Sequence, residues 1–372
     1  MSSIQPPLMT NGLNKSNAQP PQTPLSTPPA TRKNRLNPIW QARLNRFRHN
    51  RLGVISLIVF TLVFFVCMVA NVIANDKPLV VQYDGSYYFP VLKAYPETAF
   101  GGIFETETNY KDPAVQEFIN AQGYYVMPPI PFADQTPNVE LGIPYPAAPN
   151  SQNWLGTDDM GRDVLARILY GLRVSLLFGL ALTIAGALIG IIVGAIQGYY
   201  GGWVDLAGQR FMEVWGGMPQ LFMIIILVSL FSPSITVLFG MMLLFGWMGL
   251  VGLVRAEFLR ARNFDYVRAA RNLGVADSQI MLRHILPNAL ASSLSQLPFI
   301  LTANIIALTS LDFLGYGLPP GSPSLGELMV QGKNNLDAPW LALSGFFSLT
   351  LVLSLLIFIG EALRDAFDPR RS

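Results

Sequence analysis

The stretch VSLLFGLALTIAGALIGIIVGAIQ, residues 174–197, runs for 24 residues without a charge. About 20 apolar residues in a helix cross the hydrocarbon of a bilayer, so this segment reads as a transmembrane helix. Gly186, Gly190, Gly194 and, just beyond the run, Gly198 recur every four residues. They share one helical face as three small-xxx-small steps, which let another helix approach closely. Four further runs of this kind cover 53–74, 235–254, 290–311 and 340–359. A sixth, 211–231, carries Glu213 near its start and Pro219 inside it; a charge near an interface costs little. The expectation is an all-α polytopic membrane protein with six transmembrane helices.

Composition agrees. Only 13% of the 372 residues are charged and 51% are apolar, against about 25% charged in soluble domains. The single Cys67 excludes an intramolecular disulfide framework and any Cys-based zinc site, and His49 and His284 are too few for a His-built metal centre. A net charge of +2 gives no pull toward nucleic acid.

The basic residues orient the chain. With the N-terminus inside, 18 of the 25 Lys and Arg fall on the cytoplasmic side, eight of them before or at the start of the first span. The longest outer segment, 75–173, is acidic, with 12 Asp and Glu against 6 Lys and Arg. Both termini are therefore expected in the cytoplasm of a multi-pass protein. The organisation reads as a disordered tail (1–35), a basic segment with the first span (36–74), an outer loop (75–173), a five-helix core (174–363) with a cytoplasmic loop at 255–287, and a C-terminal end (364–372). The tail assignment rests on its Pro, Ser, Thr, Asn and Gln content.

Within the outer loop, Asp84-Gly85 between 79–83 and 86–91 is a two-residue hairpin signal of the type I′ kind. Asp112-Pro113 before 114–122 and Gly123 reads as N-cap, first-turn proline, short helix and C′ glycine. Residues 163–172, with Val164, Leu165, Ile168 and Leu169 on one face, read as a separate helix at the outer interface. The loop has no His, no Cys and no nucleophile–base pair, so a membrane-anchored hydrolase finds little support.

No span carries a central Asp, Glu, Lys, Arg or His, which leaves an ion-coupled secondary transporter without an ionisable site. In the fifth span, Ser292, Ser295, Gln296, Thr302, Thr309 and Ser310 fall within an arc of about 140° on an unbroken helix, with Asn304 outside it. Two readings fit this arc: hydrogen bonding between helices, or the lining of a polar path. The nearest approach to a phosphate loop, Gly326 to Gly332-Lys333-Asn334, has the wrong spacing and lacks the hydroxyl. Any ATP hydrolysis belongs to another chain.

The segment 255–287 is elaborate for a connection between helices. Asp265 can cap a short helix that Gly274 stops, and a second runs from about Asp277 to Ile285 before Leu286-Pro287. It reads either as a solvated positive loop or as a docking knob. Arg268-Ala269-Ala270-x-x-x-Gly274 followed by Leu286-Pro287 resembles the EAA motif (E-A-A-x-x-x-G-x9-I-x-L-P) of ABC importer permeases. Arg268 stands at the Glu position and His284 at the Ile position. Residues 154–165 (WLGTDDMGRDVL), 198–205 (GYYGGWVD), 312–318 (DFLGYGL) and 363–369 (LRDAFDP) are similar to stretches of the C-type permeases of the oligopeptide/dipeptide/nickel family. NDKPL (75–79), YDG (83–85) and YPET (95–98) resemble the extended loop of its microcin C/oligopeptide branch.

The resemblance implies a type I ABC importer transmembrane domain in a bacterial inner membrane, with no catalytic residue and no cofactor on this chain. It implies a B-type permease beside it and two cytoplasmic ATP-binding subunits, or one fused ATPase, which carry ATP and Mg. A periplasmic peptide-binding protein completes the set, and the cargo is peptide, with dipeptides or nickel as alternatives. Arg268, Ala269, Ala270, Gly274, Leu286 and Pro287 would form the coupling element that fits an ATPase groove.

Overall fold

A computed structural model describes residues 38–367; the expected disordered tail, 1–35, lies outside the described residues. The helices are α1 (Pro38–His49), α2 (Arg51–Met68), α3 (Ala70–Ile73), α4 (Pro113–Gln122), α5 (Val164–Tyr200), α6 (Gly202–Gly216), α7 (Gln220–Ser229), α8 (Ile235–Gly246), α9 (Met248–Ala261), α10 (Asp265–Asn272), α11 (Asp277–Gln279), α12 (Leu286–Leu294), α13 (Leu297–Phe313), α14 (Leu325–Asn334) and α15 (Pro339–Phe367). Helices α2, α5, α8 with α9, and α15 are each long and apolar enough to span a membrane. Two further spans are bent pairs: α6 with α7 at 72°, and α11–α12 with α13 at 55°.

Prolines account for the bends. Pro219 is the N-cap of α7 and Pro298 sits in the first turn of α13; each lacks the N–H that a continuous helix would use. The spans expected at 211–231 and 290–311 are therefore broken ones. The sixth run also starts earlier than expected, at Gly202. The loop expected at 255–287 is shorter, because α9 continues to Ala261.

Helix α5 organises the bundle. At 1.5 Å per residue, its 37 residues reach about 55 Å, well beyond the roughly 30 Å hydrocarbon core. Its first turns are the segment expected as a separate interfacial helix. Val164, Ile168, Leu172 and Leu176 instead continue one apolar ridge, buried against Leu325, Leu341, Val352 and Leu356. Asp163 caps this helix by accepting from the Ala166 N–H at 2.7 Å.

Two faces of α5 divide the work. Gly186, Gly190, Gly194 and Gly198 are buried against the backbone of α8 and α9, so the partner of the glycine face is this same chain. Ile184, Leu188, Ile192 and Ile196 are offset by two residues, about 200° around the helix, and are exposed. On α2, Leu52, Ile55, Ile58, Leu62 and Phe65 form a second exposed apolar stripe. Such stripes are stable against lipid and costly against water. At the C-terminal end of α5 the Arg255 guanidinium donates to Asp205 at 2.7 Å, fastening α6 to α9.

The outer segment builds a three-stranded antiparallel sheet, ordered β2-β1-β3, from β1 (Val80–Tyr83), β2 (Ser86–Tyr88) and β3 (Gly123–Val126). The turn matches its expectation: Asp84 and Gly85 have φ of 45° and 72°, as a type I′ turn requires. Asp112 caps α4 by accepting from the Ala114 N–H at 2.9 Å. Gly123 is not the left-handed stop expected of it. Its backbone is extended and opens β3, where a Cβ would lie 1.8 Å from the Gln82 carbonyl oxygen. Gly123→Ala should therefore unzip β3 from β1 and open the 110–130 region to protease, with the spans still membrane-inserted; limited proteolysis of vesicles checks this.

Candidate functional site

A cavity of about 580 Å³ opens among the bent spans. Gln220 and Ile224 of α7, the α8–α9 joint at Gly246 and Met248, and Ala303 and Asn304 of α13 are among its walls. The α13 wall also includes Ile300, Ala307 and Leu311, spaced as one helical face. Its lining holds no ionisable side chain; the amides of Gln220 and Asn304 supply the polarity. Asn304 Nδ2 donates to Thr183 Oγ1 at 3.0 Å, and Thr183 donates to the Gly179 carbonyl at 2.7 Å. These bonds satisfy polar groups that would otherwise be costly in an apolar environment and hold the amide in place.

The polar arc read from the sequence does not line this cavity. Thr302 and Thr309 are buried within the chain, and Thr302 donates to the Pro298 carbonyl at 2.8 Å. Ser295 is buried and bonds the Ser292 carbonyl at 2.7 Å, while Ser292 donates to Glu257 Oε1 at 3.3 Å. Gln296 lies at the break between α12 and α13, and Ser310 is half-buried. The break separates Ser292, Ser295 and Gln296 from Thr302, Thr309 and Ser310, so no single helical face carries all six; Thr302 and Thr309 keep a common face on α13, and that face is packed inside the chain. Asn304, outside the sequence-derived arc, is on the open face. The Leu297-Pro298 step was the available signal, because proline favours a first turn and so marks a restart.

In the 255–287 segment, α10 stands on Val267 and Ala270, packed with Phe258, Ile280 and Ile285. Arg268, Ala269 and Gly274 are exposed, and Leu273 is 83% exposed. Gly274 stops the helix as expected. It has φ of +77°, its N–H donates to the Arg271 carbonyl at 3.0 Å, and the Val275 N–H reaches the Ala270 carbonyl at 3.1 Å. Those two bonds form a Schellman motif, with Val275 and Ala270 as its apolar contact.

Two local expectations are corrected. Asp265 is the first helical residue, not the cap; Phe264 holds that position and makes no side-chain cap bond. Leu286-Pro287 does not end the second helix. A π-helical turn, Ile280–Ile285, precedes α12, and Pro287 occupies the first turn of α12, where its missing N–H is harmless. Leu286 is half-buried in the same cluster and Pro287 is exposed.

This loop is fastened to the core through Tyr199, in the last turn of α5. The Tyr199 hydroxyl donates to Asp277, and the Arg271 guanidinium lies 5.2 Å above its ring. The glycine face of α5 then meets α9, whose first residues, Met248 and Gly249, line the cavity. A continuous set of contacts therefore joins α10 to the cavity wall.

A charged cluster to which the sequence alone gave no role surrounds the start of α5. Arg167 and Asp158 are fully buried. Arg167 contacts Glu327 at 2.7 Å and Asp158 at 3.5 Å, and Arg162 pairs with Asp158 at 2.7 Å and Glu327 at 3.2 Å. Two arginines thus tie the start of α5 to α14. Outside the spans, burial raises the Asp163 carboxyl, while bonds from Ala166 and Asn153 oppose that shift. Arg167→Met would leave Asp158 and Glu327 paired with Arg162 alone and should lower the melting temperature of the detergent-purified chain, because removing one partner from a buried charge cluster is destabilising.

A family profile described as "Binding-protein-dependent transport system inner membrane component" matches residues 186–372, and one described as "N-terminal TM domain of oligopeptide transport permease C" matches 39–90. The chain is 57% identical over 338 residues to the inner membrane ABC transporter permease protein YejE of Escherichia coli, covering 91% of this chain and 99% of that one. It is 50% identical to the peptidoglycan transport system permease protein YejE of Agrobacterium fabrum, covering 90% and 94%. It is 31% identical to the oligopeptide transport system permease protein OppC of Escherichia coli, covering 89% and 91%. With its spans, cavity and exposed α10, the chain belongs to the binding-protein-dependent transport system inner membrane components: it is a multi-pass ABC permease subunit of the OppC type, and not an enzyme.

Proposed function

We propose that this permease imports peptides, that its cavity is half of the translocation path, and that α10 couples the path to ATP hydrolysis. The observation that carries this reading is the continuous packing from α10 through Tyr199 and the α5–α9 glycine face to the cavity. A B-type permease supplies the other half of the path. Two cytoplasmic ATPase subunits, or one fused ATPase, bind ATP and Mg and seat α10 in a groove. A periplasmic binding protein delivers peptide from above, and both termini of this chain face the cytoplasm. The names of the relatives support a peptide-bearing cargo.

In this mechanism the chain makes and breaks no covalent bond. Closure of the ATPase pair moves α10, and the rigid α5–α9 pair carries that movement to the cavity wall, exchanging inward and outward openings. Peptide and binding protein bias the same equilibrium by their differential affinity for its two states. The amides of Gln220 and Asn304 offer donors and acceptors to a passing peptide backbone without the cost of a buried charge.

A cysteine scan on a Cys67→Ala background tests the path. Ala303→Cys and Ala307→Cys should react with a water-soluble maleimide, and Thr302→Cys and Thr309→Cys should remain unlabelled. The reverse pattern would contradict the assignment.

A further inference from the structure

The outer segment holds a second concavity, a cleft of about 840 Å³, within the range of small-ligand pockets. From α4 and its approach it takes Asn109, Asp112 and Gln116; from the stretches leading to α5 it takes Asn138 and Trp154; Asp76 also lines it. The charge is uneven. Lys111, another lining residue, has its ammonium 3.7 Å above the Phe132 ring, a cation–π contact. Asp76 and Asp112 leave an excess of negative charge among the lining residues.

The cleft is also connected to the transport core. Asn138, 2% exposed, donates through Nδ2 to Gln152 at 3.1 Å and to Asn153 Oδ1 at 2.8 Å. Asn153 donates in turn to Asp163 Oδ2 at 2.8 Å, and Asp163 caps α5. Hydrogen bonds therefore run from the cleft wall to the top of the helix that organises the bundle.

Resting on the peptide-permease reading, we propose that this cleft is an extracytoplasmic subsite for the free amino end of a peptide. Asp76 and Asp112 attract its ammonium group, the side-chain amides pair with backbone N–H and C=O groups, and Trp154 with the neighbouring prolines gives side chains an apolar wall.

The test uses the full chain in nanodiscs, titrated with tetra-alanine and with N-acetyl tetra-alanine by calorimetry. Free tetra-alanine should bind saturably, and acetylation should weaken it at least tenfold. Asp112→Asn should weaken it to the same degree, because it removes the charge while keeping an N-cap side chain. Equal affinity for the two peptides, undiminished binding by Asp112→Asn, or no saturable binding would overturn the proposal. Uptake of labelled tetra-alanine by cells separates the two claims. Loss of uptake without this chain upholds the permease reading. An uptake KM unchanged in Asp112→Asn would then defeat the cleft alone.

Discussion

Gly190→Val is expected to abolish stable packing of α5 on α9, with loss of most detergent-extractable folded protein. A Cβ at this position would lie 2.5 Å from the Trp247 carbonyl oxygen and 3.3 Å from the Leu250 Cβ. Unstrained carbon contacts lie near 3.5–4.0 Å, so the helices must part by about an ångström. The obstructing oxygen is backbone, which cannot swing aside as a flexible side chain could. Overpacking of this kind costs about 1–3 kcal/mol even where side chains can yield. Trp247 also joins α8 to α9 beside the cavity, so the damage reaches the path. The same geometry ranks the other glycines. At Gly198 a Cβ meets the Arg255 oxygen at 2.5 Å, at Gly194 the Val251 oxygen at 2.7 Å, and at Gly186 the Gly246 oxygen at 3.3 Å. Gly186→Ala should therefore be the mildest of the four alanine variants by melting temperature. Equal effects at all four positions would contradict the direct helix contact.

Gly274→Val is expected to reduce peptide import at least tenfold while the protein still folds and reaches the membrane. Here no atom lies within 4 Å of an added Cβ, so the effect is conformational and not steric. The backbone φ of +77° is costly for an L residue, by roughly 1–2 kcal/mol, and more for a β-branched one. Relief of that strain breaks the Schellman bonds and turns α10 away from its present angle. ATP hydrolysis by the partner subunits should continue without matching import. Gly274→Asn, which tolerates the left-handed region better, should recover much of the activity. Uptake and ATPase rates measured together in proteoliposomes decide between uncoupling and simple loss of protein.

Local chemistry made part of this architecture readable. Asp84-Gly85 specifies its turn because both positions require positive φ, and Gly274 ends α10 for the same reason. The glycine period in α5 announced a close helix contact, although not that its partner lies on the same chain. What escaped reading depended on distant partners. Gly123 resembles a helix stop until β1 is placed against it, where Gln82 leaves no room for a side chain. Arg167 looks like an ordinary interfacial arginine until Glu327 folds back onto it. Thr302 and Thr309 do share a face of α13, but that face is packed inside the chain and the opposite one, with Asn304, meets the cavity, which depends on the helices packed around it. The π turn at Ile280–Ile285 similarly allowed a proline expected to end a helix to begin the next one.

Coupling, as proposed, runs from α10 to the cavity wall through α5 and α9. Its most direct measurement is maleimide labelling of Ala303→Cys, on the Cys67→Ala background, in the assembled transporter with and without ATP trapped on the ATPase subunits. Labelling from the outer side should differ between the two nucleotide states by severalfold. Adding Gly274→Val should remove the difference. Labelling that is identical in both states, or switching that survives Gly274→Val, would contradict it.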